Sequence, residues 1–224
     1  MNASYKTAIK YKDLLISVKM LKVSKDNSIE LNQLCKDSKE RVRYKKYCPS
    51  CNKEITNDDI IKGYQYTTSP ERYITLTEDE INSLKSNNDS YLCIKYFCKP
   101  KEIDELLIDK SYYLVPEINS EIKYTLFQKT LSTSKIVAIA EVVLGNKQEL
   151  VALYTKGNYI IANILFYCDE INESPNMFNH KVMKSDYVQL KEMVSNDVKN
   201  FDWSKHHDDF QLKLRELILS KIPK

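Results

Sequence analysis

The chain is 224 residues long, enough for one large domain or two small ones with a sizeable core. Its 42% hydrophobic and 29% charged residues are the mix of an ordinary folded protein, and no apolar run approaches the ~18 residues that would span a bilayer. The first residues, MNASYKTAIKYKDLL, lack the apolar stretch of a signal peptide, and six unevenly spaced cysteines argue for a reducing compartment. A cytoplasmic protein is expected.

In chain order, residues 5–22 mix Ile, Val, Leu and Tyr with Lys and read as two short strands broken near Lys12-Asp13. Residues 24–54 are too polar and basic for a core. Gly63–Tyr66 and Tyr73–Leu76 read as strands around a Thr67–Glu71 turn, where Pro70 rules out a central strand. Thr77-Glu78-Asp79-Glu80 has the spacing of a capping box and starts a helix, with Ile81 and Leu84 on its expected buried face.

Tyr91–Phe97 and Ser111–Val115 are rich in strand formers. Ile122, Leu126 and Phe127 recur at helical spacing. Lys135–Leu144, Glu149–Tyr154 and Tyr159–Tyr167 are β-branched runs joined by Gly145-Asn146 and Gly157-Asn158, the pattern of an antiparallel meander. Cys93, Cys98 and Cys168 stand singly in apolar surroundings and are expected in the core. Tyr187, Leu190, Val194, Val198 and Phe201, then Phe210, Leu214, Leu217 and Ile218, predict two amphipathic helices, the second capped by Asp202 or Ser204. The fold class expected is α+β, a sheet or barrel with helices gathered at the C-terminal end.

Charge is unevenly placed. Residues 36–53 hold seven Lys or Arg against two Asp or Glu, an excess of five, whereas the whole chain carries +3. The remainder is therefore net negative, and one surface is marked for a polyanion. Arg41, Arg43 and Lys45 would share one side of an extended strand, with Lys46 beside them. Lys62, Arg72, Lys110, Lys123 and Lys129 are further candidates, each an ordinary surface charge when judged alone. Cys48 and Cys51 have the CxxC spacing that lets two thiolates reach one zinc ion, and Cys35 is the candidate third ligand. A fourth is not evident. The reading that competes with zinc is two reduced cysteines in a turn held by Pro49.

These blocks in this order resemble the prokaryotic Ku family. Arg41 to Cys51 is similar to its basic segment and CxxC, Asp59–Tyr66 to the segment entering its next strand, and Tyr73–Glu80 to its strand-then-helix signature. Glu102-Ile103-Asp104, Lys110–Pro116, Lys135–Ala140 and Lys147–Leu153 follow in register. The chain departs from the family at Ile9–Asp13 and Ile16–Lys19, which lack the usual Gly and Pro, and at Cys35, where many members have His. A basic C-terminal tail is not expected here.

The resemblance implies a single core domain over residues 1–224: an antiparallel β-barrel, a DNA-encircling arm at residues 30–66 and C-terminal helices at 184–222. It implies a homodimeric ring on double-stranded DNA ends, nucleoid-associated and non-enzymatic, that recruits an ATP-dependent ligase for end joining. Lys and Arg on such an arm would neutralise phosphates without reading bases. Two other readings stand beside it: a zinc-knuckle DNA-binding regulator acting through Arg41–Cys51, and an abasic-site lyase using Lys19.

Overall fold

The computed structural model describes residues 4–84, 90–145, 147–175, 181 and 183–223. Strands β1 (Tyr5–Tyr11) and β2 (Leu14–Lys22) form a hairpin across Lys12-Asp13, where Lys12 takes a left-handed φ of 50°. In β2, Ile16, Val18 and Met20 are buried while Leu15, Ser17 and Lys19 are not, the period of two of a strand with one face on a core. Two short strands, β3 (Tyr47–Cys48) and β4 (Lys53–Glu54), precede a second hairpin, β5 (Lys62–Thr68) and β6 (Glu71–Leu76), and then helix α1 (Glu78–Ser83). There follow β7 (Leu92–Cys98), β8 (Ile108–Pro116), α2 (Glu121–Ser134), β9 (Val137–Leu144), β10 (Lys147–Lys156) and β11 (Tyr159–Leu165). Helices α3 (Lys184–Asp197) and α4 (Asp209–Lys221) end the chain.

The sheet closes on itself in the order β1-β2-β8-β11-β10-β9-β7. Every pairing is antiparallel except the closing one, where β1 runs parallel to β7 with Ile9 opposite Leu92. The expected meander is therefore part of a barrel. Gly145 and Gly157 hold φ values of 67° and 58° in its two turns, positions that disfavour a side chain, while Asn146 lies outside the described residues. The interior is filled by alternate residues such as Ile9, Val18, Leu114, Val151, Leu153 and Ile160. A smaller cluster, Val137, Ile139, Ala152 and Leu165, packs with Ile103 and Leu107, so β9 is covered on both faces.

Helix α2 packs Tyr124, Phe127 and Leu131 into the barrel core. The helix stands where the spacing of Ile122, Leu126 and Phe127 places it, but its buried face is turned: Ile122 and Leu126 are 86% and 65% exposed. A phenol reaches inward in their stead. The Tyr124 hydroxyl donates to the Leu114 carbonyl (2.7 Å) and accepts from the Ile160 amide (2.8 Å), stitching α2 to two strands. Burial pushes this phenol's pKa up, which keeps the donating proton in place.

Other expectations need correction. Leu84 is exposed and Ile81 only half-buried, because α1 stops after one and a half turns without a surface to cover. Cys168 is exposed, and Cys93 and Cys98 are half-buried. Helix α3 ends at Asp197, leaving Val198 and Phe201 beyond it, and Asp208 rather than Asp202 or Ser204 caps α4 by accepting from the Gln211 amide. Asp202 caps a short 3-10 turn instead.

The chain divides into two compact units. The barrel and both small hairpins belong to Met1–Lys25 and Arg43–Ile171; Asp26–Val42 and Asn172–Lys224 form the other. In that second unit the Ile29 amide donates to the Gln211 side chain (2.9 Å), and neither α3 nor α4 has a buried residue. Among the described residues no helix is long and apolar enough to cross a membrane.

Replacing Tyr124 by Phe should remove one hydroxyl and leave two buried backbone groups unpaired. The expected loss is about 1–3 kcal/mol of stability, the cost of stranding such groups. Urea denaturation measures it, and the denaturant slope should stay unchanged.

Candidate nucleic-acid interface

A closed barrel offers no free edge, so residues 43–84 form their own small ladders outside it. The basic run is not itself a strand: residues 42–46 carry no ladder, Arg41 makes a single bridge with Leu34, and strand β3 begins only at Tyr47. Arg41 and Arg43 also fall in different units, so the expected common face of Arg41, Arg43 and Lys45 is not built by one strand. The reason is local. Residues 42–46 have no neighbouring strand to pair with, and the Val42 amide turns to the Gln33 carbonyl.

Arg43, Lys45 and Lys46 are all exposed. Lys45 pairs with Glu54 at 2.8 Å, Lys46 donates to Asn57, and the Ile55 amide donates to the Lys46 carbonyl (3.0 Å). Arg43 has no ion pair among the described residues. Lys46 and Lys62 line one open groove at the base of the β5–β6 hairpin, where Lys62 lies 3.8 Å from Glu78. These exposed pairs hold the side chains weakly, since surface salt bridges contribute only about 0–1 kcal/mol each and yield to a denser anion.

The other candidates are scattered. Arg72 is on β6, opposite Thr67. Lys110 sits in a cleft with Lys22 and Ser111, and hydrogen bonding to Asp109 (2.8 Å) raises its pKa. Lys123 and Lys129 are both exposed on α2, but six residues apart puts them about 120° apart around the helix. Lys22 was not singled out from sequence, since nothing local says that a strand end meets a lysine 88 positions later.

The β5–β6 hairpin carries apolar side chains into solvent. Tyr64, Tyr66, Tyr73 and Ile74 are each at least half exposed, and Tyr64 lies opposite Ile74 on one face. Both ends of the hairpin are fixed by matching devices. The Thr56 amide and hydroxyl donate to Asp59 (2.8 and 2.9 Å), and those of Thr77 donate to Glu80 (2.7 and 2.8 Å). In each case the backbone hydrogen bond, helped by the hydroxyl, holds the carboxyl's pKa below its usual value.

Cys48 and Cys51 are brought together. The Cys51 amide and thiol both donate toward the Cys48 sulfur and lower its pKa, while the same contact raises that of Cys51. Hydrogen bonds from Ser38, backbone first, lower the pKa of Cys35. Among the described residues no three His, Cys, Asp or Glu side chains gather closely enough to hold a metal. The pair thus supplies two of the four protein ligands that a structural zinc site takes.

A family model described as the Ku70/Ku80 beta-barrel domain matches residues 10–193, which take in the barrel from the end of β1 onward and the basic segment. The chain belongs to the Ku family. Among curated relatives, the non-homologous end joining protein Ku of Lachnoclostridium phytofermentans is 31% identical over 220 residues, covering 98% of this chain and 85% of that protein. Proteins of the same name from Heliobacterium modesticaldum and Bacillus subtilis are each 26% identical, covering 80% and 72% of their own lengths. The barrel is thus the Ku barrel, and the basic segment and β5–β6 hairpin are not among its strands.

The two carboxylates at the hairpin ends give a pH dependence. Because folding depresses their pKa values, their contribution is complete above the ordinary carboxylate pKa of about 4 and is lost as pH falls through the depressed values. Protection factors for the Thr56 and Thr77 amides, corrected for intrinsic exchange, should fall on acidification over that window. Asp59→Asn and Glu80→Gln should each abolish the pH response at their own end of the hairpin.

Proposed function

We propose that this chain binds double-strand DNA ends without reading their sequence, as the DNA-holding component of non-homologous end joining. The observation that carries this reading is the exposed basic segment Arg43–Lys46, standing off a Ku-family barrel. Several relatives bear the name non-homologous end joining protein Ku. Chemistry supports it too. Arg43, Lys45, Lys46 and Lys62 are cations on long stems, suited to phosphate oxygens, and contacts to phosphate carry no sequence information. Arg41, Arg72, Lys110, Lys123 and Lys129 extend the proposed DNA-binding set around the duplex.

The working form is a homodimer. A two-stranded hairpin is marginal in water by itself, and one that exposes Tyr64, Tyr73 and Ile74 needs a surface to cover them. A second copy of the chain supplies it, with residues 30–66 of each copy acting as the arm of a single core domain and the two arms closing into a ring around DNA. The ring protects the end and presents it to an ATP-dependent ligase. The role is binding rather than catalysis: Lys19, the candidate lyase nucleophile, faces Glu117 at 3.9 Å on a barrel strand.

End dependence tests the ring. A closed ring reaches duplex DNA only over a terminus, so linear fragments should bind and covalently closed circles of the same length should not. Phosphate neutralisation alone works equally on both. Equal affinity at matched salt would refute the ring and favour a knuckle that grips DNA internally.

Arg43→Ala and Lys46→Ala should weaken binding to all duplexes alike. Each should also lower the slope of log affinity against log salt by about one unit for every phosphate the variant leaves unneutralised. Gel shifts over a salt series with duplexes of differing base composition read both quantities, and a strong base preference would contradict the assignment.

A further inference from the structure

We propose that Cys48 and Cys51 form a redox-active dithiol that closes to an intrachain disulfide on reaction with a low-molecular-weight disulfide. The pair occupies the turn between β3 and β4, with Pro49-Ser50 between the cysteines and Cys48 in register with Lys53 across the ladder. Three positions apart in one tight turn, the two side chains are placed for a short loop closure. Asn52 completes the turn at a φ of 52°, and its side chain accepts from the Tyr47 hydroxyl. Cys51 is exposed and Cys48 half-buried, so a small reagent can approach. Two thiols held in one turn, one of them exposed, suit two-electron thiol–disulfide chemistry.

The reaction balances. The Cys48 sulfur attacks one sulfur of the reagent, forming a mixed disulfide and releasing the first reagent thiol with one proton. Cys51 then attacks the Cys48 sulfur, forming the Cys48–Cys51 bond and releasing the second thiol with the second proton. Two electrons pass from the protein to the reagent, and a reducing thiol reverses both steps. The turn that closes is the one whose strands carry the Lys45–Glu54 pair and the hydrogen bond from the Ile55 amide to Lys46. Oxidation therefore stiffens the segment that presents Lys45 and Lys46.

The test uses the full chain, reduced, treated with oxidised glutathione in the presence of a chelator, and needs no DNA. Thiol titration should show the six free thiols reduced by two, and peptide mass mapping should place the link between Cys48 and Cys51. Dithiothreitol should restore both thiols, and amide exchange at Ile55 should slow severalfold in the oxidised form. Cys51→Ser should halt at a glutathione adduct on Cys48. The wild-type mapping stands even if that variant folds poorly. Adducts spread over Cys35, Cys93, Cys98 and Cys168 with Cys48 and Cys51 unlinked would overturn the proposal. So would stoichiometric zinc that stays on the pair and shields it from oxidation, or a disulfide that leaves Ile55 exchange unchanged.

Discussion

The parallel pairing of β1 with β7, Ile9 beside Leu92 and Lys10 beside Cys93, is the interaction on which the rest depends. It turns a run of antiparallel strands into a closed barrel and uses up the last free edges. The segment between β2 and β7 then has no sheet to join. Its strands pair only with one another, and most of its described side chains stay in solvent. Closure thus both builds the core and sets the basic segment apart from it.

That separation has an electrostatic consequence. Several of the barrel's cations are engaged nearby, as in Lys95 with Glu141 at 3.0 Å or Lys147 with Glu149 and Glu170. Arg43 and Lys46 make no salt bridge among the described residues, and Lys45 shares one exposed partner. Exposed ion pairs contribute little and exchange readily, so a phosphate backbone competes well for these cations. The same segment carries the Cys48–Cys51 turn. A covalent change there would act on the stiffness of the basic surface without altering its charge.

Apolar exposure follows a similar division. Inside the barrel, alternate residues meet with almost no solvent contact; on the β5–β6 hairpin and on α3 and α4, Tyr, Leu and Phe side chains remain exposed. An interior that tight, with Tyr124 satisfying backbone groups of β8 and β11, supports itself. The hairpin lacks enough apolar contact of its own, which is why its order rests on local devices such as the Thr56–Asp59 and Thr77–Glu80 boxes.

The sequence by itself determined what depends on near neighbours. Alternation placed β1 and β2, the paired glycines placed the turns of the meander, Thr77 and Glu80 placed α1, and the order of motifs around Arg41–Cys51 pointed to the Ku family. The proximity of Cys48 and Cys51 was also legible, since three positions in a turn bring two sulfurs together. Tertiary structure decided what depends on distant partners. Which face of α2 turns inward follows from β8 and β11 offering Leu114 and Ile160 to Tyr124, and no helical period encodes that. The absence of a strand at residues 42–46 follows from barrel closure, which leaves that stretch nothing to pair with. Lys22 meets Lys110 only because β2 and β8 are neighbours in the barrel. Periodicity records a residue's own preference, whereas register and closure are properties of the whole sheet.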